Sequence, residues 1–124
     1  MEPGQLVFAL LSQAARVVAL AGTRIYPLRI PQGQPRPAVA FQLISNTNDG
    51  IGPCRLNERA RVQVSIYADS YAETCALSGA VRAVLDGYRD GETTVDFAQQ
   101  LDHYDDPAAC FFRSQDYEFD YPAA

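Results

Sequence analysis

The stretch from Tyr26 to Pro37 reads YPLRIPQGQPRP and places four prolines in twelve residues. Proline removes a backbone donor and pushes the residue before it out of the α region. No helix and no interior strand can run through such a tract. The chain is therefore divided into a segment before it, a loop of extended character, and everything that follows.

Before the tract, Val7, Leu10, Leu11, Ala14, Val17 and Val18 recur at helical spacing. This predicts one amphipathic helix from Gly4 to Ala21, ended by Gly22. After the tract the period changes to two. AVAFQLIS puts Val39, Phe41 and Leu43 on one face, and RARVQVSIYAD does the same with Val62, Val64 and Ile66. Both read as half-buried strands. The turn-rich SNTNDGIGPCRLNE between them is too long for a tight hairpin and predicts a projecting loop.

A capping box of Ser70 and Glu73 then opens a second helix. Thr74, Leu77, Val81, Val84, Leu85 and Tyr88 keep its period as far as Gly87. Two further strands follow. TTVDFAQQLDHYDD carries Val95, Phe97 and Leu101, with Gln99 breaking the apolar alternation. CFFRSQDYEFDY sets Tyr117, Phe119 and Tyr121 inward and Asp116, Glu118 and Asp120 outward.

The expectation is an α+β fold of order α-β-β-α-β-β. Two helices pack on one face of a mainly antiparallel four-stranded sheet, with two long loops. A chain of 124 residues suits one domain, 1–124, burying roughly two thirds of the surface its unfolded form exposes. No apolar run is long enough to span a membrane, and Glu2 stands where a signal peptide carries basic residues. The reading is a protein made and kept in a cytoplasm, with no membrane partner.

Charge is distributed unevenly. Residues 1–85 hold eight arginines and five acids, residues 86–124 two arginines and ten acids, and there is no lysine. Arginine's planar fork suits interface ion pairs, so basic and acidic parts of neighbouring copies can meet in an assembly. Arg55, Arg59 and Arg61 come nearest to a basic patch, but the net charge of −5 argues against tight free-standing nucleic-acid binding.

No chemistry stands out. His103 has Asp102, Asp105 and Asp106 nearby, in no metal or hydrolase spacing, and on a strand Asp102 and His103 point to opposite faces. Ser65 and Ser78 lack a GxSxG context, and DGIGP is not followed by the GK[ST] of a phosphate loop. Cys54, Cys75 and Cys110 form no CxxC pair and read as ordinary thiols. No catalytic residue, metal or cofactor is expected. An enzyme built on His103 and a free adaptor or host-protein-binding module are the readings from other classes.

Three segments, TRIYPLRIPQGQPRPAVAFQLIS, RVQVSIYADSYAETCALSGAVRAVLDGYRDG and FFRSQDYEFDY, together resemble the small tail completion proteins of long-tailed phages, prophages and gene transfer agents. This group comprises tail-to-head joining and tail terminator proteins. The likeness runs from the first helix to the final strand. It rests on Val62, Gln63, Val64, Tyr67, Ala68, Tyr71, Ala80, Val81, Arg82, Leu85, Asp86 and Gly87 in their order. Thr74, Cys75 and the acidic tract after Asp86 depart from the usual pattern.

The resemblance implies a structural virion protein with no enzymatic activity. It implies a homo-oligomeric ring, of six subunits, at the head-proximal end of the tail tube. Such a ring touches the tail tube protein on one side and the head-tail connector protein on the other, and DNA passes through its lumen without specific binding. The protein then resides at the head-tail junction of the virion, after assembly in the host cytoplasm. On this reading Arg24, Tyr26, Arg29 and Arg36, with Asp49, Arg55 and Glu58 of the second loop, make contacts between subunits or rings. Some acids after Asp86 face the channel or the outer surface.

Overall fold

A computed structural model of the chain describes residues 2–48 and 57–122. Helices α1 (Pro3–Gln13) and α2 (Ala15–Ala21) precede strand β1 (Ile25–Pro27). Strands β2 (Ala38–Asn48) and β3 (Asn57–Ala68) lead to helix α3 (Tyr71–Leu85), and β4 (Tyr88–Asp90), β5 (Thr93–Asp105) and β6 (Cys110–Pro122) complete the order. The strands form one sheet, β1-β2-β3-β6-β5-β4, in which β1 and β2 are parallel and every other pair antiparallel. The sheet curls into a half-barrel.

The expected two-helix, four-stranded, mainly antiparallel sandwich is therefore corrected to three helices on a mixed sheet of six strands. Each added element has a local cause. The expected first helix breaks at Ala14, whose ψ of 116° is extended, and the two parts meet at 83°. Val7 and Leu11 of α1 and Val17 and Ala21 of α2 are all fully buried. In an unbroken helix Val17 would lie about 240° around the axis from Leu11, at ~100° per residue. The break turns it back into the core. Neither alanine signals this locally, since alanine is the best helix former, so packing overrides propensity.

Ala14 caps α2 with no side-chain hydrogen bond. Ala14→Asp should therefore stabilise the protein by about 1 kcal/mol, its carboxylate accepting from the free N–H groups of the first turn. A thermal melt checks this. In an unbroken helix the same change would destabilise by roughly half a kcal/mol.

Strand β1 explains the proline tract. Ile25, Tyr26 and Pro27 pair in parallel with Val39, Ala40 and Phe41, so residues 28–37 must return the length of the strand, as any parallel connection must. Leu28, at φ 68°, begins the return, with its N–H held by the Phe41 carbonyl at 2.8 Å. Strand β4 forms because Gly91, at φ 60°, occupies the first position of a two-residue turn that pairs Asp90 with Thr93.

The central pair β3 and β6 runs in unbroken register from Asn57 against Pro122 to Ala68 against Phe111. Its inward face, Val62, Val64, Ile66, Tyr117 and Phe119, meets α1, α2 and α3 around Leu11, Val17, Leu77, Val81 and Leu85. A register shift between Phe97 and Gln99 moves Gln99 to the face opposite Phe97. That shift accounts for the glutamine that interrupts the apolar alternation of β5. Among the described residues no single helix is long and apolar enough to cross a membrane.

Candidate assembly surfaces

The return loop is tied to its own chain. Arg24 Nε donates to the Pro37 carbonyl at 2.8 Å and its Nη2 to the Leu20 carbonyl at 3.4 Å, tying the far end of the crossover to the end of α2. The Tyr26 hydroxyl donates to Gln34 Oε1 at 3.1 Å. Arg36 Nε pairs with Asp69 at 2.7 Å, and its Nη2 reaches the Ala108 carbonyl in the β5–β6 turn at 3.4 Å. Arg29 is exposed beside Leu28, which is 71% exposed. Arg24, Tyr26 and Arg36 are thus brought together as loop anchors, while Leu28 and Arg29 are its outward part.

Of the second loop, Asp49 and Arg55 lie outside the described residues. So does Cys54. Glu58 lies on β3 beside Tyr121, whose hydroxyl it bonds and which also accepts from Asn46 Nδ2 at 3.0 Å. Burial first, then this carboxylate, raises the phenol above its ordinary range.

The sheet face away from the helices is polar and mixed in charge. Asp116, only 8% exposed, accepts from Arg61 at 3.2 Å, Gln63 at 3.2 Å and Gln99 at 3.1 Å. Arg61 also reaches Glu118 at 3.4 Å, and Arg59 pairs with Asp120 at 3.7 Å. Arg59, Arg61, Glu118 and Asp120 line a shallow hollow of about 510 Å³. Arginines of β3 alternate with acids of β6 across the ladder, so this face is not the basic stripe that grips phosphates. Further along it, Tyr67, Phe112 and His103 stack in a row, with centroids 5.2 and 4.5 Å apart.

Asp102 lies on the other face, and no dyad with His103 forms. Its partner is Arg113, a residue that sequence reasoning missed. The Arg113 guanidinium donates to Asp102 at 2.6 and 3.2 Å, to Ser78 Oγ at 2.9 Å and to the Tyr71 hydroxyl at 3.1 Å. Tyr71 in turn donates to Asp102 at 3.0 Å. The hydrogen bond from Arg113 holds the Asp102 carboxyl below the usual range, and the one from Tyr71 adds to it. This clamp joins α3 to β5 and β6. Strand alternation from Tyr117 back through Gln115 to Arg113 was the available signal.

Among the described residues no cluster of three or more His, Cys, Asp or Glu side chains is placed to hold a metal. Of the described cysteines, Cys75 is exposed, Cys110 is buried, and both are free thiols. Internally paired charges on the helix-free face and an anchored return loop suit the class of structural subunits, whose work is contact with other chains.

The comparisons place it within that class. Residues 5–118 match the family described as tail completion protein gp17, and the chain belongs to that family. It is a structural phage tail protein. Its fold is similar to that of a chain from the virion of a native gene transfer agent (GTA) particle. That likeness has 17% identity and a TM-score of 0.76, covering 98% of this chain and 95% of the other. No curated protein matches the sequence.

Proposed function

We propose that the protein forms a ring, of six subunits, at the head-proximal end of a tail tube, where it ends tube growth and joins the tail to the head connector. The family match over residues 5–118 carries this reading, and the likeness to a virion chain supports it. The protein works at the head-tail junction of the virion after assembling in the host cytoplasm. DNA crosses the lumen without specific binding, and the ring performs no catalysis. Head-to-tail packing of identical subunits uses two different patches, which can carry opposite charge.

In this ring Arg29 with Leu28 on the return loop, and Asp49 and Arg55 of the second loop with Glu58 at the start of β3, meet neighbouring subunits or rings. Arg24, Tyr26 and Arg36 hold the return loop in the shape that presents Arg29. Deleting residues 29–36 is a poor test, because the parallel pairing of β1 needs that length of chain. Arg29→Glu reverses the contact charge and leaves the crossover intact.

Electron microscopy of lysates from a phage or prophage lacking the gene tests the function. Filled heads beside separate tails of normal length are expected for a joining ring, and overlong tubes for a terminator. Intact, infectious particles would overturn the reading.

A further inference from the structure

An apolar groove of about 550 Å³ opens between α1 and the β1–β2 side of the sheet, walled by Pro3, Phe8, Pro27, Phe41 and Leu43. Leu43 shares the inward face of Val39 and Phe41, both buried, yet it is 48% exposed, and Phe8 is 46% exposed. The core stays open along this flank, and a contiguous exposed apolar patch marks a contact site. A second hollow of about 350 Å³ shares Pro27 and extends the groove to Leu28 and Arg29. Leu28 is held outward in the left-handed region, at φ 68°, which a leucine adopts only at a cost. Among the described residues the Arg29 side chain makes no hydrogen bond or ion pair.

The turn joining β5 to β6 carries the matching chemistry. Tyr104 is 52% exposed, with its ring edge-on to Phe111 at 5.0 Å and its hydroxyl without a partner among the described residues. Asp105 and Asp106 follow it. The Asp105 carboxylate accepts from the Ala108 N–H at 3.3 Å, whereas the Asp106 carboxylate has no partner among the described residues. Charge is opposed between the two places. Residues 23–48 hold three arginines and no acid, and residues 101–109 hold three acids and no arginine. Glu2, the one acid that lines the groove, stands at the N-terminus of α1, where the free N–H groups of the first turn offset its charge.

Within one chain the two places are out of reach of each other. Register sets Leu43 level with Phe97 by way of Val62 and Tyr117, and Tyr104 lies about 20 Å further along β5, at ~3.3 Å per residue. No chain can fill its own groove with its own turn. We infer that the β5–β6 turn of one copy docks in the groove of a second copy. The Tyr104 ring enters between Phe8 and Leu43, and its hydroxyl meets the amides of Gln5 and Asn46 at the margin. A tyrosine suits such a site, because its ring is apolar and its hydroxyl needs a partner once buried. The turn then covers Leu28 and sets Asp106 against Arg29. The contact is made by side chains and needs no strand ladder. Because turn and groove are different surfaces, it is heterologous and repeats from copy to copy around a ring.

This inference rests on the ring reading above. In full-length protein, Arg29→Asp and Asp106→Arg should each raise the concentration for half-assembly about tenfold or more, read by native mass spectrometry, and the double variant should recover it. Singles that are folded and deficient, with a double variant that stays deficient, overturn the pairing. Tyr104→Ala should lose assembly while remaining folded by circular dichroism, since the side chain is half exposed. Protein carrying both Leu43→Cys and Tyr104→Cys should give a covalent ladder beyond dimer under mild oxidation, and neither single variant should. Rings that form normally from every variant, with no cross-link, overturn the docking and leave the ring standing. Normal rings of Tyr104→Ala that no longer bind tail tubes assign the turn to the tube protein and also overturn the docking. A folded wild-type chain that stays monomeric at every concentration, and is not captured by tail tubes, overturns both.

Discussion

Tyr117→Ala is expected to remove about 3–5 kcal/mol of folding stability, the range for deleting a large aromatic from a packed core. Tyr117 is fully buried at the middle of the sheet, pairing with Val62 on one side and Phe97 on the other, with the Phe97 ring edge-on at 5.7 Å. Its hydroxyl donates to Gln115 Oε1 at 2.8 Å, and Gln115 Nε2 bonds the Ser78 carbonyl at 3.3 Å and Gln100 at 3.2 Å. Burial pushes the phenol above its usual range, so it stays a neutral donor throughout physiological pH. Tyr117→Phe keeps the ring and loses only the donor. That variant should lose about 1–2 kcal/mol, because it leaves a buried acceptor unpaired. Urea unfolding of the two variants separates the packing from the hydrogen bond. Equal losses would mean that the whole cost lies in the lost hydroxyl and the pocket closes over the missing ring without penalty, whereas a Tyr117→Phe variant as stable as wild type would mean that the hydroxyl contributes nothing.

Arg113→Met should cost about 2–4 kcal/mol, somewhat below the value for a fully buried pair, because the Asp102 side chain is 46% exposed. For a domain of this size that corresponds to a fall in melting temperature of about 10 °C. Methionine replaces the aliphatic stem but takes the guanidinium donor from Ser78 and Tyr71 and leaves Asp102 with the Tyr71 hydroxyl in place of its ion pair. The pH dependence identifies the ion pair's share. The carboxyl of Asp102 is lowered in the folded state, so its contribution is fully present above the ordinary carboxylate pKa of about 3.9 and is lost as pH falls through the depressed folded value. The gap between wild type and Arg113→Met should narrow in acid. A gap that stays constant from neutral pH down to pH ~2 would assign the loss to packing and the neutral hydrogen bonds alone.

Long periodic stretches could be read from the sequence and short pairings could not. Val62, Val64 and Ile66 announce β3, and the Ser70 and Glu73 box announces α3, because repeated burial on one side of an element leaves a repeated pattern. β1 and β4 have three residues each, too few to show a period, and their pairing is decided by a neighbour distant in sequence. The Asp90-Gly91 step was the one available mark of β4. The break at Ala14 has no local mark at all, since it comes from where α2 must land. Among the candidate residues, the tract holding Arg24, Tyr26 and Arg36 was visible as a structural oddity. Its cause, a parallel return, required knowing that β1 is a strand. Arg113 was hidden by its charge, because a guanidinium is expected outside until its partners Ser78, Tyr71 and Asp102 are seen.

The place of β6 bears on when the subunit becomes competent. It sits between β3 and β5, yet it is C-terminal to every other described element. A chain emerging from the ribosome exposes raw edges on β3 and β5 until residues 110–122 have been synthesised. Closing the sheet then joins Asn57 to Pro122 and Ala68 to Phe111, contacts so far apart in sequence that they place the chain among the slower, non-local folders. The strand that welds the two halves together is thus made after both of them, and no nascent subunit can close its sheet before residues 110–122 have been synthesised.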